Sequence, residues 1–288
     1  MRIDGIFTRY FFHPLNKILP LPKEIRIPIL MYHSISDGLE SGHPYFWINT
    51  SRKRFTEQMR FLKENDYKVI SMADATDILG TKSMFPEGRG HKYAVVTFDD
   101  GFADFHTEAF PLLQRHGFSA TVFLPTGFIS DDMSILNGKK CLRWSDVSEL
   151  AESGVRFGSH TVTHPKLRGM PWNQVEVELR ESKKSLEDRL GTEVESFSCP
   201  YAFPEEDLRF RTRLRTSLVK LGYMNGVTTS IGTSTVGDDL IFLKRIPVNS
   251  GDDSALFQAK LEGGYDWIHG FQFGFKVLKR FLPWNSTR

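Results

Sequence analysis

Two pairs of side chains in the 288-residue sequence have the types and spacing that metal-assisted or acid–base chemistry needs. Asp99 and Asp100 follow the short apolar run "YAVVTF" and precede Gly101. Adjacent like charges repel, so folding alone gives little reason to place them together, and a bound cation would relieve the repulsion. Because neighbouring side chains on a strand point to opposite sides, one carboxylate could bind the cation while the other serves as a base. A turn or helix cap is the structural alternative, since Asp is common at both.

The second pair is His160 and His164 in "GSHTVTHP". A spacing of four residues places both imidazoles on one face of a helical turn, and a curved loop can also bring them together. Two imidazoles and one carboxylate form a common catalytic metal site with positions left open to water. Two histidines at this spacing, taken alone, are more often polar residues of a loop. The acidic pair at an equivalent strand end favours a metal site instead.

The elements that position these residues alternate between strand and helix from residue 27 to about residue 250. Seven or eight such strands predict a mostly parallel sheet covered by helices. Both a (β/α) barrel and an open doubly wound sheet suit this length, and in both the chemistry gathers at the carboxyl ends of strands. The clearest helix is predicted from about Trp172 to Leu190, ended by Gly191. The predicted strands are 27–32, 67–70, 93–98, 119–124, 156–159, 196–199 and 241–246.

Composition is that of an ordinary globular protein, with 40% hydrophobic and 25% charged residues. The formal net charge of +2 is too small to argue for a nucleic-acid partner. The two cysteines form neither a short-spaced metal motif nor a disulfide framework. The sequence shows no signal peptide and no run of 18 or so apolar residues, which predicts a cytoplasmic protein, with the inner membrane surface as one location.

In their order and separation, the two pairs resemble motifs of the polysaccharide deacetylases, the NodB-homology group of carbohydrate esterases. "TFDDG" (97–101) matches the first motif and "HTVTH" (160–164) the second. "FSCPYA" (197–202) resembles the third, a Pro–aromatic pair after a strand. The resemblance covers roughly residues 27–250 and implies an α/β fold, a distorted (β/α) barrel of about seven β/α units.

The resemblance also implies one divalent metal ion, usually zinc, with Asp100, His160 and His164 as ligands. Asp99 would be the general base that takes a proton from the attacking water. The implied activity is a metal-dependent hydrolase that removes N-acetyl groups from an N-acetylated sugar or polysaccharide and releases acetate. The partner would be an N-acetylated glycan or a lipid-linked sugar.

Three further residues are candidates for the substrate groove. By resemblance, Pro200 and Tyr201 line the groove, and the backbone N–H of Tyr201 donates to the oxyanion. Trp144 opens a predicted helix and either borders the groove or packs in the core.

Two other functions stay open at this point. The same fold could hydrolyse another C–N bond or an O-acetyl ester, or it could serve as a carbohydrate-binding scaffold with little catalysis. The intact set of two aspartates and two histidines argues against a pure binding domain, because such a domain has no need of a free base.

The sequence departs from the family pattern at two places. Ser198 occupies the position where an Arg often orients the base, and the late "Leu-x-His" strand that carries a general acid is not obvious. His33 ends the strand-like run "IPILMYH", and "YHS" (32–34) resembles a segment of a permuted deacetylase subgroup. Because a barrel is closed, a strand at the start of the chain can occupy the place that the family's last strand occupies. We therefore predict that His33 is the general acid. His269 is the weaker candidate.

Three regions follow along the chain: an aromatic and basic extension (1–26), the deacetylase domain (27–250) and a second aromatic and basic extension (251–288). In both extensions apolar residues recur near cations. These stripes either pack on the barrel or form an amphipathic surface that contacts a membrane. The apolar residues are Phe7, Phe11, Phe12, Leu15, Ile18, Trp267, Phe271, Phe275, Leu278 and Leu282.

Overall fold

The backbone described by the computed structural model comprises residues 3–18, 25–38, 40–81 and 91–281. In chain order its strands are β1 (Arg26–Ile27), β2 (Ile29–Tyr32), β3 (Ser34–Ile35), β4 (Asn49–Thr50), β5 (Tyr67–Val69), β6 (Lys92–Phe98), β7 (Thr121–Leu124), β8 (Ile135–Leu136), β9 (Lys139–Lys140), β10 (Arg156–Ser159), β11 (Ser196–Ser198), β12 (Asn225–Ile231), β13 (Ser234–Thr235) and β14 (Leu243–Pro247).

The helices in these residues are α1 (Ile3–Phe7), α2 (His13–Ile18), α3 (Arg52–Glu64), α4 (Met72–Gly80), α5 (Phe110–His116), α6 (Trp144–Glu152), α7 (Trp172–Leu190), α8 (Leu208–Lys220), α9 (Ser254–Leu261) and α10 (Trp267–Phe281). A π-helical turn, Thr8–Phe12, joins α1 to α2, and a second one, Phe105–Ala109, leads into α5. Short 3-10 helices span Pro44–Phe46 and Thr126–Phe128.

Seven parallel strands form a closed barrel. They pair in the order β2–β14–β12–β11–β10–β7–β6, and β6 pairs with β2 to complete the ring. The strand β5 pairs in parallel with the first residues of β6. The predicted barrel is therefore confirmed, and the open doubly wound sheet is excluded.

Sequence pattern explains why these segments form a barrel covered by helices. β2 and β7 are buried at every position, as expected for strands with apolar material on both faces. On the outside of the barrel, α7 buries an apolar stripe formed by Val175, Leu179 and Leu186. Gly191 ends this helix in the left-handed conformation (φ 68°), as predicted.

Closure places the first barrel strand beside the acidic motif. β2 lies between β14, the last strand, and β6, which leads into Asp99. The backbone N–H of Asp99 donates to the carbonyl of Tyr32 at 3.0 Å. The residue that follows β2, His33, therefore lies at the same end of the barrel as the acidic pair.

The two ends of the chain pack against each other. Trp267 of α10 stacks on Phe12 with ring centroids 4.5 Å apart, and its Nε1 donates to Thr8 Oγ1 at 3.0 Å. His13 lies 2.6 Å from Glu262, just after α9. The two predicted extensions thus lie together in space, although their boundaries stay predictions. Among the described residues, no helix is both long and apolar enough to span a bilayer.

Candidate active site

The side chains of the two motifs meet at the carboxyl ends of β6 and β10. Asp99, Asp100, His160 and His164 are all buried. The Nε2 atoms of His160 and His164 lie 3.6 and 3.3 Å from the same Oδ1 of Asp100. One ligand atom from each of these three residues lies within 4.8 Å of the other two. A single ion could therefore contact all three.

The donor set fits a divalent metal ion. His160 Nδ1 lies 2.8 Å from the carbonyl oxygen of Ser198, so this nitrogen donates its proton and the ring is oriented with Nε2 towards Asp100. Metal-binding histidines are commonly oriented by such a bond. Burial alone would raise the pKa of Asp100, but the imidazoles of His160 and His164 beside its Oδ1 lower it well below its usual range. Asp100 is therefore ionised and faces both imidazoles, as a metal ligand at this position would need to be.

Backbone strain is concentrated at this site. Asp100 (φ 69°), Thr161 (φ 69°), His164 (φ 53°) and Tyr201 (φ 57°) all adopt the left-handed conformation. Each such residue costs about 1–3 kcal/mol and persists only where its surroundings hold it. Strain of this kind clusters where side chains must be aimed for function.

Glu178 of α7 holds the loop that carries both histidines. Its carboxylate accepts from the backbone N–H groups of Val162 (2.7 Å) and Thr163 (2.9 Å), and from Thr163 Oγ1 (2.7 Å). Ser159 Oγ donates to Ser182 Oγ of the same helix at 2.9 Å. Sequence reasoning missed Glu178, because only the packing of α7 against the loop gives it this role.

Arg245 of β14 is the partner of Asp99. Its Nη1 donates to Asp99 Oδ1 at 2.8 Å and its Nη2 donates to Oδ2 at 2.6 Å. Ser198, the departure noted in the sequence, contacts this pair: Nη2 of Arg245 lies 3.1 Å from its Oγ. The arginine therefore comes from a different strand than the motif pattern suggested. No local sequence signal marks it, since 146 residues separate Arg245 from Asp99.

This ion pair controls the charge of Asp99. Burial by itself would raise the pKa of the carboxyl, but the guanidinium of Arg245 and the imidazole of His160 outweigh burial and lower it. Asp99 is therefore held as a carboxylate, the form that can accept a proton.

His33 lies within the electrostatic reach of the same groups. Burial is the main influence and lowers the pKa of its imidazole; the carboxylates of Asp100 and Asp99 act in the opposite direction, and Arg245 adds to the lowering. All of these neighbours belong to the site. The structure thus brings His33 to the place predicted from closure, while its role as the acid stays a prediction.

The backbone after His33 is held by a polar cluster. Asp104 accepts from Ser34 Oγ and, at 3.2 Å, from the backbone N–H of Ile35. Lys139 Nζ donates to Ser34 Oγ at 3.0 Å. These contacts join segments 70 and 105 residues apart, so no motif could identify Asp104 or Lys139.

Of the predicted groove residues, Tyr201 is the best placed. Its side chain is 44% exposed, and its ring centroid lies 4.7 Å from that of His164. Lys166 Nζ lies 5.3 Å from the same ring. Pro200 is buried beside it. The pair therefore borders the candidate metal centre, and its contact with substrate stays a prediction.

Two other candidates lie elsewhere. Trp144 is only 6% exposed and belongs to the main apolar core, with the guanidinium of Arg189 5.1 Å from its ring. This environment favours the core-packing alternative over a groove. His269 lies on α10 and contacts Glu205 at 2.9 Å, so the structure gives it a local ion-pair partner.

We predict that Arg245→Met lowers the free energy of unfolding by about 3–5 kcal/mol, because it leaves a buried carboxylate unpaired. The double variant Arg245→Met/Asp99→Asn should lose less than the sum of the single variants. Urea denaturation of the four proteins of this cycle measures the coupling. Arg180→Met removes a surface arginine beside Glu181 and should change little. Equal losses in Arg245→Met and Arg180→Met would contradict the prediction.

Comparison with known proteins agrees with this geometry. Residues 87–225 match the sequence profile described as polysaccharide deacetylase. The Bacillus subtilis (strain 168) protein YxkH, whose name assigns it to the polysaccharide deacetylases, is 30% identical over 241 residues, 83% of this chain and 77% of that protein. The poly-beta-1,6-N-acetyl-D-glucosamine N-deacetylase of Escherichia coli (strain K12) is 31% identical over 142 residues, 46% of this chain and 20% of that protein.

The fold agrees with a solved structure as well. Streptococcus pyogenes deacetylase PplD in complex with acetate superposes with a TM-score of 0.67 at 24% identity, covering 82% of this chain and 99% of that chain. The barrel, the motifs at its strand ends and the extent of the Bacillus match lead to one conclusion: the chain belongs to the polysaccharide deacetylase family.

Proposed function

We propose that this protein is a metal-dependent N-deacetylase, which hydrolyses the N-acetyl group of an amino sugar in a glycan and releases acetate. The observation that carries the proposal is a three-ligand cluster, Asp100, His160 and His164, beside a separate carboxylate, Asp99. A binding site needs the cluster alone. A hydrolase also needs a free base, which Asp99 supplies.

The ligand set suits zinc, which commonly takes three protein ligands in catalytic sites and leaves a position open. When bound, such an ion polarises a carbonyl and brings the pKa of its water to about 7. Asp100 and His160 hold their orientations through the contacts already described. The loop of His164 is held by Glu178.

Asp99 is proposed as the general base that accepts the proton of the attacking water. The two bonds from Arg245 fix the carboxylate plane, so its position does not depend on the substrate. The same bonds keep it ionised before reaction. Preorganised groups of this kind need little rearrangement during the chemical step.

His33 is proposed as the general acid that protonates the leaving sugar nitrogen. An amide needs this help because an amine anion is a poor leaving group. The lowered pKa makes the imidazolium of His33 a stronger acid, with a smaller protonated fraction at neutral pH.

Tyr201 is proposed to bind the sugar and, through its backbone N–H, the oxyanion. Its carbonyl accepts from Thr229 Oγ1 at 3.0 Å, which fixes the peptide in the left-handed conformation. The exposed ring offers an apolar face against which a pyranose can pack. Pro200 restricts the backbone just before it.

The E. coli relative supports an N-acetylated glycan as substrate, although this chain spans a fifth of that protein. The alternatives are hydrolysis of another C–N bond, O-acetyl ester hydrolysis and glycan binding with little catalysis. They differ from the proposal in their products: cleavage of a C–N bond other than an acetamide gives no acetate, the ester reaction gives no new amine, and binding gives neither product.

The function is tested by measuring acetate and free amine together on N-acetylglucosamine oligomers and on matched O-acetylated sugars. We expect equal amounts of acetate and amine, loss of both after chelation, and recovery with zinc. His160→Ala should lose bound metal and activity together, because it removes one ligand. His91→Ala, an exposed histidine elsewhere, is the control. Acetate from esters alone would reject N-deacetylation, and full metal occupancy in His160→Ala would reject the ligand assignment.

For the base, Asp99→Asn should keep its metal and lose activity by roughly 10²–10⁴-fold, the usual contribution of a positioned base. Metal content by mass spectrometry and acetate release by a coupled assay measure the two effects. Asp131→Asn changes an aspartate on the surface and should leave both unchanged. Near-normal turnover in Asp99→Asn would mean that another group accepts the proton.

For the acid, His33→Ala should retain metal and lose most of its amide hydrolysis. It should lose much less on an activated ester, because that leaving group needs no proton. The ratio of the two rates, compared with that of His91→Ala, is the measurement. Equal losses on both substrates would indicate a positioning role and would remove His33 as the acid.

A further inference from the structure

The two chain ends form one exposed apolar surface, which we call the terminal surface: residues 3–18 together with α10. Ring contacts join its two parts, since Phe7 and Phe271 lie 6.3 and 5.3 Å from Trp267 between ring centroids. Single exposed apolar residues are normal, but a contiguous group marks an interaction site. Its members that are more than half exposed are Ile3, Phe7, Tyr10, Phe11, Ile18, Phe271, Phe275 and Leu278.

Between the two parts runs an open groove of about 610 Å³ with almost entirely apolar walls. Tyr45, from the short 3-10 helix before β4, also lines the groove. The groove is lined by Ile3, Phe7, Phe11, Trp267, Phe271 and Tyr45.

The first turn of α10 attaches to the barrel through Ile268, which is buried with Ile231 of β12, and the next turn attaches through polar side chains. Gln272 Nε2 donates to the carbonyl of Thr229 at 2.9 Å, and its Oε1 accepts from the backbone N–H of Ile231 at 3.0 Å. His269 contacts Glu205 at 2.9 Å. An ordinary surface helix does the reverse and turns its apolar stripe to the core. Beyond this first turn, Phe271 and Leu278 of α10 are therefore exposed, where an apolar partner could contact them.

The charge of the two chain ends indicates which class of partner the terminal surface would bind. Residues 1–26 contain five basic and two acidic residues, a net +3, and residues 267–288 contain four basic and no acidic residues, a net +4. Three of these cations pair with acids outside the two segments, Arg9 with Asp253, Lys17 with Glu262 and Arg26 with Asp266. Beyond these pairs the two segments together keep a net +4. Cationic segments with exposed aromatic and aliphatic side chains suit the surface of an anionic bilayer. A second copy of this chain is disfavoured as the partner, since a symmetric contact would bring the cationic segments of the two copies together.

We propose that the terminal surface docks on an anionic lipid bilayer, with the exposed side chains of α10 among the headgroups. The docked helix would lie close to the candidate active site: Gln272 contacts Thr229, whose Oγ1 donates to the carbonyl of Tyr201. Docking would hold the catalytic end of the barrel next to glycans carried at the membrane. This inference goes beyond the proposed hydrolysis and stands without it. Leu282 of the predicted stripe lies outside the described residues.

The test is flotation of the full chain with vesicles of phosphatidylcholine, alone or mixed with phosphatidylglycerol. We expect binding to the anionic vesicles at low salt, weaker binding at high salt because charge is screened, and little binding to the neutral ones. The double variant Phe271→Ser/Leu278→Ser should bind roughly tenfold or more weakly, because it removes apolar area that would leave water.

A matched control is Met133→Ser/Met224→Ser. Both methionines are 60% exposed but lie outside the terminal surface, so this variant should bind like the unchanged protein. Circular dichroism would show that both variants fold. No binding to anionic vesicles at low salt, or equal losses in both variants, would overturn the proposal.

Self-association is tested in the same series by sedimentation velocity without lipid. We expect a monomer with and without the Phe271→Ser/Leu278→Ser change. A dimer that this variant dissociates, together with no vesicle binding, would assign the surface to a second copy and overturn the proposal. No outcome depends on catalysis, so a failure here is distinct from a failure of the proposed deacetylation.

Discussion

The barrel interior is organised around one fully buried guanidinium. Arg245 has five N–H donors, and each has an acceptor: Nε donates to the carbonyl of Thr228, Nη1 to Thr97 Oγ1 and Asp99 Oδ1, and Nη2 to Asp99 Oδ2 and Ser198 Oγ. These acceptors lie on β11 and β12 and on β6 or directly after it, so one side chain ties three strands to β14. A buried charge tolerates no missing partner, which makes the arrangement specific even where it adds little net stability.

The need to pair the buried guanidinium of Arg245 also sets the arrangement of the candidate active site. With Asp99 held by Arg245, the second carboxylate of the motif turns, in a left-handed conformation, towards His160 and His164. Two adjacent aspartates thereby acquire different environments, one paired with a guanidinium and one surrounded by imidazoles. The repulsion expected between the two carboxylates is offset because each one has favourable neighbours of its own. A base and a metal ligand can therefore occupy consecutive positions in the chain.

Rigidity at the site comes from outside the motifs. Glu178 stabilises the histidine loop, and Asp104 stabilises the segment after His33, each by accepting hydrogen bonds from backbone N–H groups. Thr229 links the loop of Tyr201 to α10 through Gln272. The helix that presents an apolar face to its surroundings is thus also part of the support of the candidate active site.

The sequence by itself determined what is local. Adjacent aspartates, histidines four residues apart and the apolar stripe from Trp172 to Leu190 all depend on near neighbours in the chain. Their types and spacing therefore predicted two strand ends, a helix and the cluster of candidate metal ligands. Closure predicted the position of His33, because a ring makes the first and last strands neighbours. Tertiary structure alone decided the partner of Asp99, the support from Glu178, the burial of Trp144 and the outward face of α10. These contacts join segments far apart in the chain, and no short-range pattern records which side chains the packing of a barrel will bring together.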